Sequence, residues 1–376
     1  MQIINKFFIS LVNTIPTSKN IVVFNSYPDY TDNSQAIFKY LHENRAHKYR
    51  YIWLVNEKED VKNIKERITK DGYIADVFYK KSLKGLWAFI RCRYCFHTHG
   101  ILGSISLHQH EDKMINLWHG MPLKNIGITD GEPRGFMKNT DYLLATSNRF
   151  QDVMSECFDI PEDRVLPIGL PRCDLLFEPT DFFTQRNIDV ESYDKIGIWL
   201  PTYRYSIVET EKRIDGTYIP GAISFLEEKD LEKLNGDLAR LNHLMIIKLH
   251  PMDKSQLYEF KTYSNILIVK QKDMKSQLYP LLGRTDYLLT DFSSVCIDYD
   301  ILKKPMGFTI PDFDSYSNSR GFVFNDVLSI LPGPIITNYE ELVQFIKALY
   351  YKPSTLEFNK YRDNKACERL VNFLKM

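Results

Sequence analysis

Short apolar runs recur along the chain, rich in Val, Ile, Leu and aromatic residues, and most are followed by a stretch with helical spacing. IVVFNS (21–26), YRYIWLV (49–55), IADVFY (74–79), CRYCFHTH (92–99), MINLWH (114–119) and DYLLAT (141–146) read as strands. Segments from Asn33 to about Arg45, over 58–70 and near 82–91 read as the helices between them. Continuous apolar strands are buried on both faces, and parallel sheets flanked by helices bury them that way. The architecture expected is therefore α/β and mainly parallel.

The pattern lapses over 175–194, where LLFEPTDFFTQRNIDVES mixes Pro and charge, and then restarts. KIGIWLP (195–201), LMIIKLH (244–250), ILIVK (266–270), DYLLT (286–290) and PMGFTI (305–310) are the second series of strands, with helices over 226–241 and after Tyr339. A chain of 376 residues is long enough for two such domains. The division expected is 1–178 and 179–376, with the last helix packing back on the first domain. Two such sheets joined by a hinge are expected to form a cleft at the strand carboxyl ends, where open α/β sheets bind ligands.

Composition removes several classes. Lys plus Arg and Asp plus Glu are 48 each, which argues against a nucleic-acid binder. No apolar run reaches the roughly 18 residues of a membrane-spanning helix. MQIINKFFISLVNTIP lacks a small-residue cleavage site and reads as an amphipathic helix, packed on the protein or lying on a membrane. Six scattered cysteines are no disulfide framework, and Cys92 and Cys95 are expected to point to opposite faces of one strand. H-T-H (97–99) and H-Q-H (108–110) lack Cys or carboxylate partners at zinc spacing. P-loop, G-x-G-x-x-G and G-x-S-x-G motifs are absent.

The remaining signal lies just after strands. NLWHG puts His119 before Gly120, and a histidine there could take a proton from a hydroxyl near neutral pH or merely bond the loop. KLHP puts His250 before Pro251, with Lys248 nearby, placed to donate to a phosphate or to cap the strand. TDFSSVCIDY ends a strand at Thr290 and opens a helix at Ser293 and Ser294. That is an anion site, an N-cap, or both. Asp298 falls in the early turns of that helix, and D-x-D at 298–300 looks helical rather than metal-binding.

Together with IVVFNSYPDYTDNSQAIFKYL, GLPRCD (169–174), PTYR (201–204), KKPMGF (303–308), RGFVF (320–324) and LPGP (331–334), these motifs resemble the CDP-glycerol glycerophosphotransferase family of teichoic-acid and capsule synthesis. Their order spans about residues 20–350. The resemblance implies a GT-B-like pair of Rossmann-type domains, acceptor-side first and donor-binding second. It implies transfer of glycerol phosphate from CDP-glycerol to a lipid-linked saccharide or polyol-phosphate chain, releasing CMP. His119 would be the base, with Gly120 and Lys124 on the acceptor side. His250, Pro251, Thr290, Ser293 and Ser294 would hold the donor phosphates, with Asp298, Arg172 and Arg204 on the donor side or in the cleft. Each arginine also reads as an interdomain salt bridge. No obligate metal is implied, Mg2+ acting at most as a stimulant. The location implied is peripheral, at the cytoplasmic face of the membrane.

Three other readings fit the same motifs: a CDP-ribitol-dependent enzyme, a nucleotide-sugar glycosyltransferase or epimerase, and a non-catalytic glycan-binding subunit. The segment KKSLKGLWAFIRCR (80–93) sets Trp87 and Phe89 among five cations, which suits either an anionic membrane surface or a solvated helix. Oligomeric state is left open by the sequence.

Overall fold

The structure is a computed structural model. It describes residues 15–101, 113–135, 137, 139–202, 220–274, 277–311, 313–314, 317 and 321–376. The amino-terminal amphipathic segment before residue 15, the H-Q-H motif and Arg204 lie outside the described residues. The chain divides into two units. Unit 1 is Met1–Met121, Gly127–Leu175 and Asp363–Met376, and unit 2 is Pro122–Ile126 and Leu176–Arg362.

In unit 1 the strands are β1 (Ile21–Asn25), β2 (Arg50–Val55), β3 (Asp76–Tyr79), β4 (Tyr94–His97), β5 (Lys113–Asn116), β6 (Tyr142–Ala145) and β7 (Val165–Pro167). They form one sheet in the order β3-β2-β1-β4-β5-β6-β7, with every pair parallel. Register sets Phe24 beside Trp53 and beside Phe96. The three rings stack across the strands with centroids 5.7 and 5.6 Å apart, so cross-strand aromatic pairs hold this face. Val23, Ile52, Leu54 and Cys95 belong to another cluster with Ala88, Phe89, Ile90 and Cys92. Cys92 is not in the strand, as expected from sequence, but ends the helix Leu83–Arg91, and both cysteines pack into that one cluster.

Unit 2 holds β8 (Lys195–Trp199), β9 (His243–Lys248), β10 (Ile266–Val269), β11 (Tyr287–Thr290), β12 (Met306–Thr309) and β13 (Ile335–Ile336). Their order is β10-β9-β8-β11-β12-β13, again all parallel. Counted from its own first strand, this is the order of a doubly wound sheet, and the first six strands of unit 1 share it. Trp199, Met245, Ile247, Tyr287, Leu289 and Phe345 anchor its core. Gly197 is glycine because a Cβ there would come within 2.2 Å of the Tyr287 ring.

The units differ from the sequence division in their boundary, which falls after Leu175 rather than after 178, and in one short segment. Pro122–Ile126 groups with unit 2, where Lys124 bridges Phe322 and the Val323 N–H donates to the Leu123 carbonyl at 3.0 Å. The tail Asp363–Met376 groups with unit 1. Its helix Ala366–Phe373 is fastened at its start by Asp174, whose two carboxylate oxygens accept the N–H groups of Ala366 and Cys367 at 2.8 Å each.

Candidate functional site

The strand order of unit 1 reverses between β1 and β4, which is where doubly wound sheets gather ligands. Thr98 and His99 leave β4 at that point. The Leu117 N–H still donates to the His97 carbonyl at 2.8 Å, so β5 keeps its register one residue past its end. The chain then turns sharply, with φ of +54° at Trp118 and +133° at Gly120. A Cβ is disfavoured at φ +133°, so glycine suits the second position. The turn is tied to the start of the helix Asp32–Arg45. Asn33 donates to the Trp118 carbonyl at 2.9 Å, and Asn116 Oδ1 accepts the Trp118 N–H at 2.9 Å.

These bonds set His119 among rings. Its imidazole lies face to face with that of His99, centroids 4.2 Å apart and planes within 4°. The Trp118 ring is 4.1 Å away at a tilt of 31°. Arg172 Nη1 donates to the His119 carbonyl at 2.9 Å and pairs with Asp32 Oδ1 at 2.9 Å. The Arg172 N–H donates to Asn33 Oδ1 at 2.9 Å. Two adjacent residues at one helix start therefore hold both the turn and the arginine.

Burial pulls the His119 pKa down to about 4, with His99 and Arg172 adding to the effect and Asp32 and the Thr98 backbone opposing it. The ring is neutral at pH 7 and can accept a proton. His119 Nδ1 is buried and has no hydrogen-bond partner among the described residues. His97 is also pushed down to about 4 by burial, but its Nδ1 accepts the Gly100 N–H at 3.0 Å. It is a core histidine.

In unit 2, His250 follows β9 by two residues. Its Nδ1 accepts the Met252 N–H at 3.1 Å, so in the neutral ring the proton sits on Nε2, a donor. Pro251 follows, exposed, and interrupts further pairing. Burial pulls Lys248 down to about 8, and its Nζ donates to Gln271 Oε1 at 3.3 Å. At the β8/β11 reversal Asp291 accepts the Thr202 N–H at 3.1 Å and also the Thr202 hydroxyl. Ser293 and Ser294 are half-buried ahead of the helix Val295–Tyr299. Ser294 makes no side-chain cap, and Ser293 Oγ accepts the Val295 N–H at 3.5 Å. The helix is only five residues long, so its dipole is short and the serine hydroxyls are the stronger feature for an anion.

Several expected residues sit elsewhere. Asp298 is fully buried and accepts the Tyr279 hydroxyl at 2.5 Å, so it faces the interior of unit 2. Asp300 is buried too, paired with Arg362 at 2.8 Å and bonded by Tyr351 at 3.1 Å, and the D-x-D is thus structural. Thr290 is fully buried and its hydroxyl donates to the Leu200 carbonyl at 2.9 Å. Arg172 pairs with Asp32, which belongs to the same unit. Lys124 groups with unit 2. Phe89 is buried, unlike Trp87, which is 52% exposed, and Leu83, which is 88% exposed. Lys80 Nζ is engaged with Asn56 Oδ1 at 2.7 Å. His99, Asp32 and Asn33 were missed as site residues. The signals were the H-T-H after a strand and the polar pair opening the first helix.

A profile of the CDP-glycerol:poly(glycerophosphate) glycerophosphotransferase family matches residues 7–375. The chain is 26% identical to a teichoic acid poly(glycerol phosphate) polymerase of Bacillus subtilis over 90% of its own length, but spans only 45% of that protein. It is 26% identical to a teichoic acid glycerol-phosphate transferase of Staphylococcus aureus, covering 96% of this chain and 94% of the relative. A solved structure of the wall teichoic acid polymerase TagF superposes with a TM-score of 0.73 at 21% identity, over 96% of this chain and 89% of that one. This likeness carries the fold: two parallel-sheet α/β domains of GT-B-like type.

Proposed function

The chain belongs to the CDP-glycerol:poly(glycerophosphate) glycerophosphotransferase family, and on that premise we propose that it transfers glycerol phosphate from CDP-glycerol to a hydroxyl of a teichoic-acid or capsule acceptor, releasing CMP. The acceptor is a lipid-linked saccharide or a growing polyol-phosphate chain. The observation that carries this reading is His119: a neutral imidazole beside the β1/β4 reversal, held by Arg172 and Asn33.

His119 takes the proton of the acceptor hydroxyl as that oxygen attacks the β-phosphorus. The bond from that phosphorus to the bridging oxygen breaks, and CMP leaves with the electron pair. His250, with its proton on Nε2, donates to the donor pyrophosphate and offsets charge growing on CMP. Ser293 and Ser294 contribute hydroxyls to phosphate oxygens. Phosphoryl transfer needs positioning and charge stabilisation more than covalent help, and no step here runs through a metal.

The test is CMP release with a lipid-linked disaccharide analogue, offering CDP-glycerol and CDP-ribitol in parallel, for the wild type and His119→Ala. Release from CDP-glycerol that vanishes in the variant, with donor binding intact, is the expected result. Release from CDP-ribitol alone would reassign the donor, and undiminished release by His119→Ala would remove the base.

The same reading puts the enzyme at the inner face of the membrane. Exposed Leu83 and Trp87 lie four apart on the helix Leu83–Arg91, and the Arg91 guanidinium sits 5.6 Å over the Trp87 ring. An apolar stripe edged by cations suits an anionic lipid surface. Flotation with anionic vesicles is expected to fall at least several-fold in Leu83→Ser/Trp87→Ser. Flotation equal to wild type would remove this helix from membrane contact.

A further inference from the structure

The proposed reaction leaves the H-T-H motif unused, yet the second histidine of that motif is the nearest ring to the base on one face. The His99 and His119 imidazoles are parallel to within 4° at 4.2 Å. His99 is itself held. Its Nδ1 is 2.8 Å from Thr98 Oγ1, and the same hydroxyl oxygen accepts the Tyr27 N–H at 3.4 Å. The exposed Tyr27 ring meets His99 edge-on, at 5.8 Å and 73°. A strand end, a tyrosine and a threonine thus fix a ring whose face is turned to His119.

We propose that His99 is a positioning residue for the transfer: its ring holds the plane of the His119 imidazole and makes the two rings a unit that accepts one proton. The proposal rests on His119 being the base. The physics has two parts. A neutral ring stacked on an imidazolium attracts it through its π face. Two imidazolium rings at this separation repel, and more strongly where water is scarce. At neutral pH both rings are uncharged, so a proton taken from an acceptor hydroxyl reaches His119 while His99 carries none to repel it. The titratable and charged groups facing the pair are Asp32, which favours a proton there, Arg172, which opposes one on His119, and His97, which His99 affects in turn.

The experiment follows the histidine rings by long-range 1H–15N NMR across pH in the full chain, for wild type, His99→Phe and His99→Ala, alongside the pH profile of CMP release. Phe keeps a ring on the His119 face and removes the second proton site. His99→Phe is expected to raise the His119 midpoint by roughly one pH unit and to keep kcat near neutrality. The acid limb of the rate profile should move up with it. His99→Ala is expected to lower kcat about tenfold with the KM for CDP-glycerol unchanged, a loss that the Phe variant recovers. A His119 midpoint that is the same in all three proteins would overturn the coupling. Wild-type kcat in His99→Ala would overturn the positioning role. A midpoint that moves while the acid limb stays fixed would uphold the coupling and instead remove His119 as the base.

Discussion

Unit 1 and unit 2 are wound alike, and each sets a histidine a few residues past a strand, but they treat the ring in different ways. In unit 1 the chain closes other rings around His119, and burial with a second imidazole keeps it neutral. In unit 2 the backbone itself engages His250, with the Met252 N–H on Nδ1. Ring packing makes a proton acceptor. A backbone N–H on one nitrogen fixes the tautomer and leaves the other nitrogen as a proton donor. The two units thus surround their imidazoles differently, one with stacked rings and one with a backbone N–H on Nδ1.

The comparison breaks most sharply at the acceptor. Replacing His119 by Ala should lower kcat by about 10²–10⁴-fold with CDP-glycerol affinity unchanged, as loss of a general base does. A change in affinity alone would mean that both histidines serve the donor. The donor histidine should cost less. His250→Ala is expected to reduce kcat/KM for CDP-glycerol by about 10²-fold, and His250→Gln, whose amide can still donate, should recover part of it. Equal losses in Gln and Ala would deny the donor role.

The smallest effect separates the rings by pH. His119 and His97 bind protons less readily folded, at about 4, than at the ordinary 6.5. The unfolded chain therefore binds more protons between these values, and stability falls as pH drops from 6.5 towards 4. The acid limb of kcat/KM should lie near 4 for the same reason. Urea unfolding between pH 7 and 4 checks the first part. A flat midpoint across that range would mean that these imidazoles are not held neutral.

The sheets were legible because their strands are buried on both faces and read as unbroken apolar runs. β7 and β13, of three and two residues, were not, since so short a strand carries no periodicity. The histidines were legible from position alone. Their environments were not, because stacking of His99 on His119 depends on a turn with left-handed backbone at Trp118 that no local pattern announces. Asp298 misled for a related reason. A polar residue in the first turns of a helix can suit a ligand or a buried tyrosine, and only packing against the helix Leu278–Arg284, which carries Tyr279, decides. The pairing of Arg172 with Asp32 was not legible because the two residues are 140 apart in sequence.

The clasp of Asp174 on the helix Ala366–Phe373 has a consequence for biosynthesis. The ribosome makes the seven described strands of unit 1 before any described strand of unit 2, yet unit 1 lacks its closing helix until Asp363–Met376 has been made. Unit 2 needs nothing beyond Arg362. Of the two, the unit begun first is therefore finished last, and Asp174 waits through the synthesis of unit 2 for the two amides that it will hold.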